Sequence, residues 1–270
     1  MANPLAIPVS IGRAFFDEGA GLGMVYDDSQ NGVIVSDLDN GPTDLRGLIV
    51  FNTNAATEYL HLWDDRGPTL GTTPQDFTLP MASSKHLYVA VVKGGRFRNG
   101  LSYACTSDTG TIANTPPAIA MRVTTTTTGG LLRAVGDLEI KPAEALVTQL
   151  QVTTLPGTLG GAKRRQIGIG STLVTFKSSA TTGIHAIRIN NKANSVPSYL
   201  KLWNAAAPTV GTTVPNLVMR ALGGEDLIWT FGDGGLTSFT TAVTGACVTT
   251  GGTGGTVSPT NAVTVDIVMN

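Results

Sequence analysis

The chain has 270 residues, of which 33 are Gly and 14 Pro, with 41% hydrophobic and only 14% charged side chains. Its 18 basic and 19 acidic residues leave a formal net charge of −1, which lacks the basic footprint of a nucleic-acid binder. No run approaches the ~18 consecutive apolar residues of a membrane-spanning helix, so neither nucleic acid nor membrane is expected as a partner.

Residues 1–29 read as an extended N-terminal arm. The first 13 residues lack a basic start followed by an apolar run, so no secretory signal is expected and synthesis in the cytoplasm is. Leu5, Ile7, Val9, Ile11, Phe15 and Phe16 are apolar without an evident module to join. The arm is either a disordered tail or a segment that docks on a neighbouring chain, with Phe15 and Phe16 as its docking side chains. The run 19–23, Gly-Ala-Gly-Leu-Gly, has only a superficial likeness to a phosphate loop: no strand precedes it, and no Lys-Ser or Lys-Thr follows. It reads as a flexible part of the arm.

From residue 30 the pattern becomes that of short strands separated by Gly, Pro, Asn and Thr. Strands are expected at 33–35, 48–52, 59–63, 77–81, 87–92, 101–105 and 118–123. In 59–63 Leu60 and Leu62 share one face, and Tyr59, His61 and Trp63 the other. Pro68 and Gly71 follow in what should be a fixed turn, since Pro presets φ and Gly permits positive φ. Residues 124–164 read as a junction, with Thr124 to Thr128 and two glycines as a linker. A short helical turn is possible at 142–146, and an extra strand or packing segment within 131–152. Further strands are expected at 172–176, 186–190, 199–203, 217–222, 227–231, 242–247 and 262–269.

These two series are copies of one module. Residues 59–73 (Tyr-Leu-His-Leu-Trp-Asp-Asp-Arg-Gly-Pro-Thr-Leu-Gly-Thr-Thr) match 199–213 (Tyr-Leu-Lys-Leu-Trp-Asn-Ala-Ala-Ala-Pro-Thr-Val-Gly-Thr-Thr) without a gap, at an offset of 140. After a two-residue insertion near 232–235 the offset becomes 142, aligning Phe97 with Phe239 and Cys105 with Cys247. Upstream, 48–52 resembles 186–190; downstream, 118–123 resembles 262–267. The expected fold is all-β: two tandem β-sandwich, jelly-roll-like modules at 30–123 and 165–270, joined by 124–164 and preceded by the arm.

The repeat also tests for chemistry, because an inherited site should appear in both copies. His61 and His86 correspond to Lys201 and Asp226 and read as exposed polar positions, and His185 has no Cys or His companion at metal-ligand spacing. Asp27-Asp28 and Asp64-Asp65 could bind a divalent cation but read better as solvated turn acids; Asp64-Asp65 becomes Asn204-Ala205 in the other copy. Lys163-Arg164-Arg165 reads as a solvated linker. Cys105 and Cys247 are too few for a disulfide framework and suit small buried core positions. Trp63 and Trp203 either stack on sugars, as in a carbohydrate-binding module, or close the edge of the core with their N–H bonded locally. No catalytic residue, metal or other cofactor is expected.

The pattern at 199–215, Tyr-Leu-Lys-Leu-Trp-Asn followed by Pro-Thr-Val-Gly-Thr-Thr-Val-Pro, resembles small virion proteins of tailed bacteriophages, and 59–74 is its more diverged copy. The resemblance implies a non-enzymatic structural protein of the particle, made in the host cytoplasm. It implies a capsid decoration or cement protein bound to the major capsid protein or other virion proteins, and to further copies of itself. A tail, baseplate or fibre component, or a carbohydrate-recognising adhesion module, are the alternatives.

Overall fold

The structure is a computed structural model; it describes residues 22–93, 95–129, 163–178, 182–232 and 235–270. Phe15, Phe16 and the possible helical turn at 142–146 lie outside the described residues. The first repeat supplies β1 (Leu22–Gln30), β2 (Thr43–Phe51), β3 (Glu58–Asp64), β4 (Phe77–Met81), β5 (His86–Lys93), β6 (Arg96–Phe97), β7 (Leu101–Thr106) and β8 (Met121–Gly129). The second supplies β9 (Lys163–Ile169), β10 (Val174–Lys177), β11 (Thr182–Asn190), β12 (Ser198–Trp203), β13 (Leu217–Ala221), β14 (Asp226–Phe231), β15 (Leu236–Phe239), β16 (Val243–Val248) and β17 (Val263–Met269).

These strands form two sheets. Sheet I has the order β1-β8-β2-β5-β14-β11-β17-β9, with β6 on β2 and β15 on β11; sheet II has the order β10-β16-β12-β13-β4-β3-β7. The chain is all-β, as expected, but the repeats are not two separate sandwiches in series. Each contributes five strands to sheet I, and the first gives three and the second four to sheet II; the sheets continue from one repeat into the other through β5–β14 and β4–β13. Read outward from these junctions, equivalent strands occupy equivalent places: β5 and β14, then β2 and β11, β8 and β17, β1 and β9.

The two repeats are therefore related by an approximate twofold axis, and residues on it can be named. Ala90 pairs with Thr230 at the centre of sheet I, and Thr78 with Val218 in sheet II. Each pair consists of residues 140 apart, so each residue faces its own counterpart. The core lies between the sheets, with Leu60, Leu62 and Leu79 from sheet II against Leu48, Val50 and Val89 from sheet I. At the seam Phe77 stacks on Trp229 with ring centroids 4.8 Å apart and planes 6° from parallel, and Phe97 lies 5.7 Å from Phe77. Burying such rings yields on the order of 2 kcal/mol each, so the seam is a core in its own right.

Several sequence-based expectations are corrected. Residues 22–29, read as arm, form most of β1, which pairs along β8. Residues 124–128, read as a linker, are the second half of β8: β-branched Thr suits a pleated strand, and Thr125 and Thr127 turn inward and are buried. Lys163-Arg164-Arg165 opens β9 on the edge of sheet I rather than lying in a linker. Residues 33–35 make only an isolated bridge, Val35 to Tyr103.

The repeat register also changes. The pairings of β2 with β5 and of β11 with β14 set Phe51 against His86 and Asn190 against Asp226, so the offset there is 139 and Asn52 corresponds to Asn191. Sequence had matched Asn52 with Asn190, a one-residue slip that would turn every side chain of the strand to the other face. At the far end Val50 pairs with Val123 and Ile189 with Val265, which sets an offset of 142 rather than the 144 of the sequence match.

Candidate interaction face

The outward side of sheet II is roofed by two loops from each repeat. In the first repeat the turn after β3 is closed by Thr72 and Thr73 N–H donating to Thr69 O, at 3.2 and 2.9 Å, and by Thr69 N–H donating to Thr73 Oγ1 at 2.9 Å. In the second, Thr212 and Thr213 N–H donate to Thr209 O at 3.2 and 2.9 Å, and Thr209 N–H to Thr213 Oγ1 at 2.9 Å. Gly71 and Gly211 sit at φ 81° and 90°, the left-handed region that favours glycine. Trp63 Nε1–H donates to Thr73 O at 3.1 Å and Trp203 Nε1–H to Thr213 O at 2.9 Å. Both indoles are buried, at 1% and 0% exposure, and present no ring face for stacking a sugar. Their role is to tie each turn to the strand beneath it.

The histidine and lysine at equivalent positions were expected to be exposed; both are buried beneath the roof. His61 Nε2 lies 2.7 Å from Thr106 Oγ1, and Thr106 Oγ1–H donates to Asp108 O at 2.6 Å. That hydroxyl proton is committed, so Nε2 carries the imidazole proton and Nδ1, 3.1 Å from Thr78 Oγ1, is the acceptor. Burial pushes the His61 pKa down to about 4. Lys201 donates to Thr253 O at 3.3 Å and to Gly254 O, and burial lowers its pKa to about 8. Strand alternation placed both side chains correctly on the face away from the leucines. Periodicity could not show that loops distant in sequence cover that face.

Asp64, expected in a solvated turn, joins an ion cluster across the seam. Arg220 Nη1 is 2.9 Å from Asp64 Oδ2 and 3.3 Å from Asp76 Oδ1. Tyr199 Oη–H donates to Asp76 Oδ1 at 3.1 Å, Asp64 N–H to Asp76 Oδ2 at 2.7 Å, and Asn99 N–H to Asp64 Oδ1 at 2.6 Å. Burial raises the Asp76 pKa, against the opposing pull of Arg220. Asp27 is likewise buried, accepting from Ser29 N–H and Oγ–H and from Gln30 Nε2–H. Asp27, Asp64 and Asp76 thus serve hydrogen bonding within the fold, while Asp28 and Asp65 are exposed, as expected. Among the described residues no group of three or more His, Cys, Asp or Glu is placed to hold a metal ion.

The outward side of sheet I differs between repeats. In the second, Asp226 lies 3.3 Å from both Arg188 Nη2 and Lys192 Nζ and 3.7 Å from Lys93 Nζ, and Arg188 Nη1 reaches Asp266 at 3.6 Å. Burial opposes ionisation of Asp226, but its bonds to Arg188 and Lys192 outweigh that and hold its pKa below the usual range. The first repeat has His86, Ile49 and Thr124 at the places of Asp226, Arg188 and Asp266. His86 is exposed and packs its ring against Phe51 with centroids 4.6 Å apart. His185 is buried and stands at the place of Arg46 in the first repeat, each being the residue at which its strand's pairing with β17 or β8 shifts register.

No protein-family model and no curated protein matches this chain. Among solved structures, the coconut allergen cocosin is similar over 94% of this chain and 79% of its own, at 9% identity and a TM-score of 0.18. The PBSX exported protein XepA is similar over 92% and 81%, at 9% identity and a TM-score of 0.21. An oxalate decarboxylase is similar over 95% and 71%, at 11% identity and a TM-score of 0.20. Scores this low do not establish a shared fold.

Proposed function

We propose that the chain is a non-enzymatic structural protein of a bacteriophage particle, a decoration or cement protein that binds and stabilises the major capsid shell. The observation that carries this reading is the fate of the motif on which the resemblance rests. Its Pro-Thr-x-Gly-Thr-Thr part forms a rigid turn, built twice with the same hydrogen bonds and held out on one face. Polar groups of the kinds that serve chemistry, His61, Lys201, Asp64 and Asp76, are instead engaged beneath that face. Pairing of β-strands from both repeats into common sheets suits a part that must resist force rather than open to a substrate. Each repeat sends its strands to both sheets in turn, and we take it as a jelly-roll variant of the sandwich. The partners on this reading are the major capsid protein and further copies of the chain, and its location is the virion. A carbohydrate-recognising role finds no support in Trp63 and Trp203, whose rings are buried.

The test is particle composition. The chain should copurify with DNA-filled heads, appear on the shell by cryo-microscopy, and when deleted leave particles that lose DNA at lower temperature. Density on the tail or baseplate would move the assignment there; absence from particles would overturn it.

A further inference from the structure

The loops that roof sheet II contain no Asp, Glu, Lys, Arg or His over 67–75, 109–120, 204–216 and 249–262; Asp65 and Arg66, both exposed, open the first of them. Asp108 stands at the edge of this area, but its carboxylate accepts from Asn114 N–H and from Thr115 N–H and Oγ1–H. Ion pairs gather on the outward side of sheet I, around Asp226 and Asp44, while on the sheet II side Arg66 pairs with Asp37 and Arg220 with Asp64 and Asp76. Charge is thus concentrated on sheet I and sparse on the roof, where it is confined to the margin.

The roof has the symmetry of the fold. Thr111 N–H donates to Thr253 Oγ1 at 3.3 Å, and Thr253 N–H donates to Thr111 Oγ1 at 3.0 Å. These residues are 142 apart and equivalent in the repeat, so the axis through Thr78 and Val218 emerges between them. The turns lie to either side: a Cβ on Gly71 would stand 3.3 Å from Asn114, and one on Gly211 would stand 2.6 Å from the equivalent Thr256. Exposed on these segments are Ile112 at 73%, Val257 at 64%, Ile119 at 55% and Val214 at 36%.

We infer that this uncharged face is where a second copy of the chain docks, roof against roof. Three observations select that occupant. Interface centres are depleted of charge, and an uncharged face brought against itself meets no like-charge repulsion. A net charge of −1 sets little long-range repulsion between copies. A face that already repeats about a twofold axis presents its turns and aliphatic side chains twice, so each contact made with a second copy in an isologous pair can be made again by the other repeat. The inference does not depend on the chain belonging to a virion.

The full chain at tens of micromolar should sediment at about twice 27.9 kDa, with a dissociation constant that changes little between low and high salt, since no ion pairs are made. Ile112→Asp with Val257→Asp should raise that constant at least ~30-fold by burying charge and leave the melting temperature of the monomer within a few degrees, both side chains being exposed. Tyr88→Asp, on the outward side of sheet I, should leave the dimer intact. A monomeric wild-type chain, a double variant as dimeric as wild type, or equal loss in Tyr88→Asp would overturn the inference. A particle in which the chain is absent would leave the dimer measurement unaffected, so the two proposals fail separately.

Discussion

Arg220 Nη1 lies 2.9 Å from Asp64 Oδ2, an ion pair that joins the second repeat to the first and has no charged counterpart across the axis. At the equivalent places stand Pro80 and Asn204, and Asn216 replaces Asp76. Tyr199 bonds to Asp76, and Tyr59 bonds to Asn216. The same cross-repeat tyrosine contact is thus made once with a charged partner set and once with a neutral one.

Removing one member of this cluster strands buried charge. Arg220→Met should cost about 3–5 kcal/mol in unfolding free energy. Adding Asp64→Asn and Asp76→Asn, the residues of the other repeat, should recover most of that loss. Urea denaturation of the single and triple variants measures both. A triple variant no more stable than Arg220→Met would show that the network is needed for more than charge balance.

His61 makes stability depend on pH in a definite direction. Its folded pKa, about 4, lies below the ordinary 6.5, so between these values the unfolded chain binds the proton more tightly. The native state therefore loses stability as pH falls from about 6.5 to about 4, by up to roughly 3 kcal/mol. His61→Gln should flatten this part of the profile relative to wild type, as measured by chemical denaturation at fixed pH values.

Trp63 and Trp203 do the same work in the two repeats and should cost alike. Each Trp→Ala change should remove about 3–5 kcal/mol, and exchange of the Thr73 or Thr213 region should rise in the matching repeat, read by hydrogen–deuterium exchange. A variant that keeps its stability while losing affinity for a glycan array would restore the sugar-stacking alternative.

The cysteines are free and buried at equivalent core positions, opposite Leu60 and Leu200. Burial pushes both thiols up, Cys105 well above its ordinary value. Neither should react with a thiol reagent at pH 8 in the native protein, and both should react in denaturant. Labelling kinetics then reports global opening of the core.

Much of this was legible in the sequence. Alternation in 59–63 assigned Leu60 and Leu62 to the core, and the 140-residue match located the turn and the cysteines, because these features depend on near neighbours. What escaped was set by residues far apart. His61 and Lys201 look like surface positions until the loops at 108 and 253–254 close over them. Arg220 carries no local sign that it will meet Asp64 and Asp76. The Thr tract in β8 resembles a linker by composition, and only a place between β1 and β2 makes a strand of it. The slip at Asn52 came from matching letters. The hydrogen bonds correct it: Asn52 Nδ2–H donates to Ala56, Met81 and Ala82 O, and Asn191 Nδ2–H donates to the equivalent Val196, Ala221 and Leu222 O.

The sheets that run unbroken through β5–β14 and β4–β13 have the geometry of two like subunits tied into one polypeptide. Identical subunits would have to carry every contact twice, once on each side of the dyad, so an arginine placed at position 220 would also stand at position 80. Covalent linkage lifts that obligation. One side of the seam is ionic and the other neutral, and on the outward face of sheet I the cluster of Asp226, Arg188 and Asp266 in one repeat stands where the other has His86, Ile49 and Thr124. A strictly symmetric pair has no such freedom to specialise its two ends.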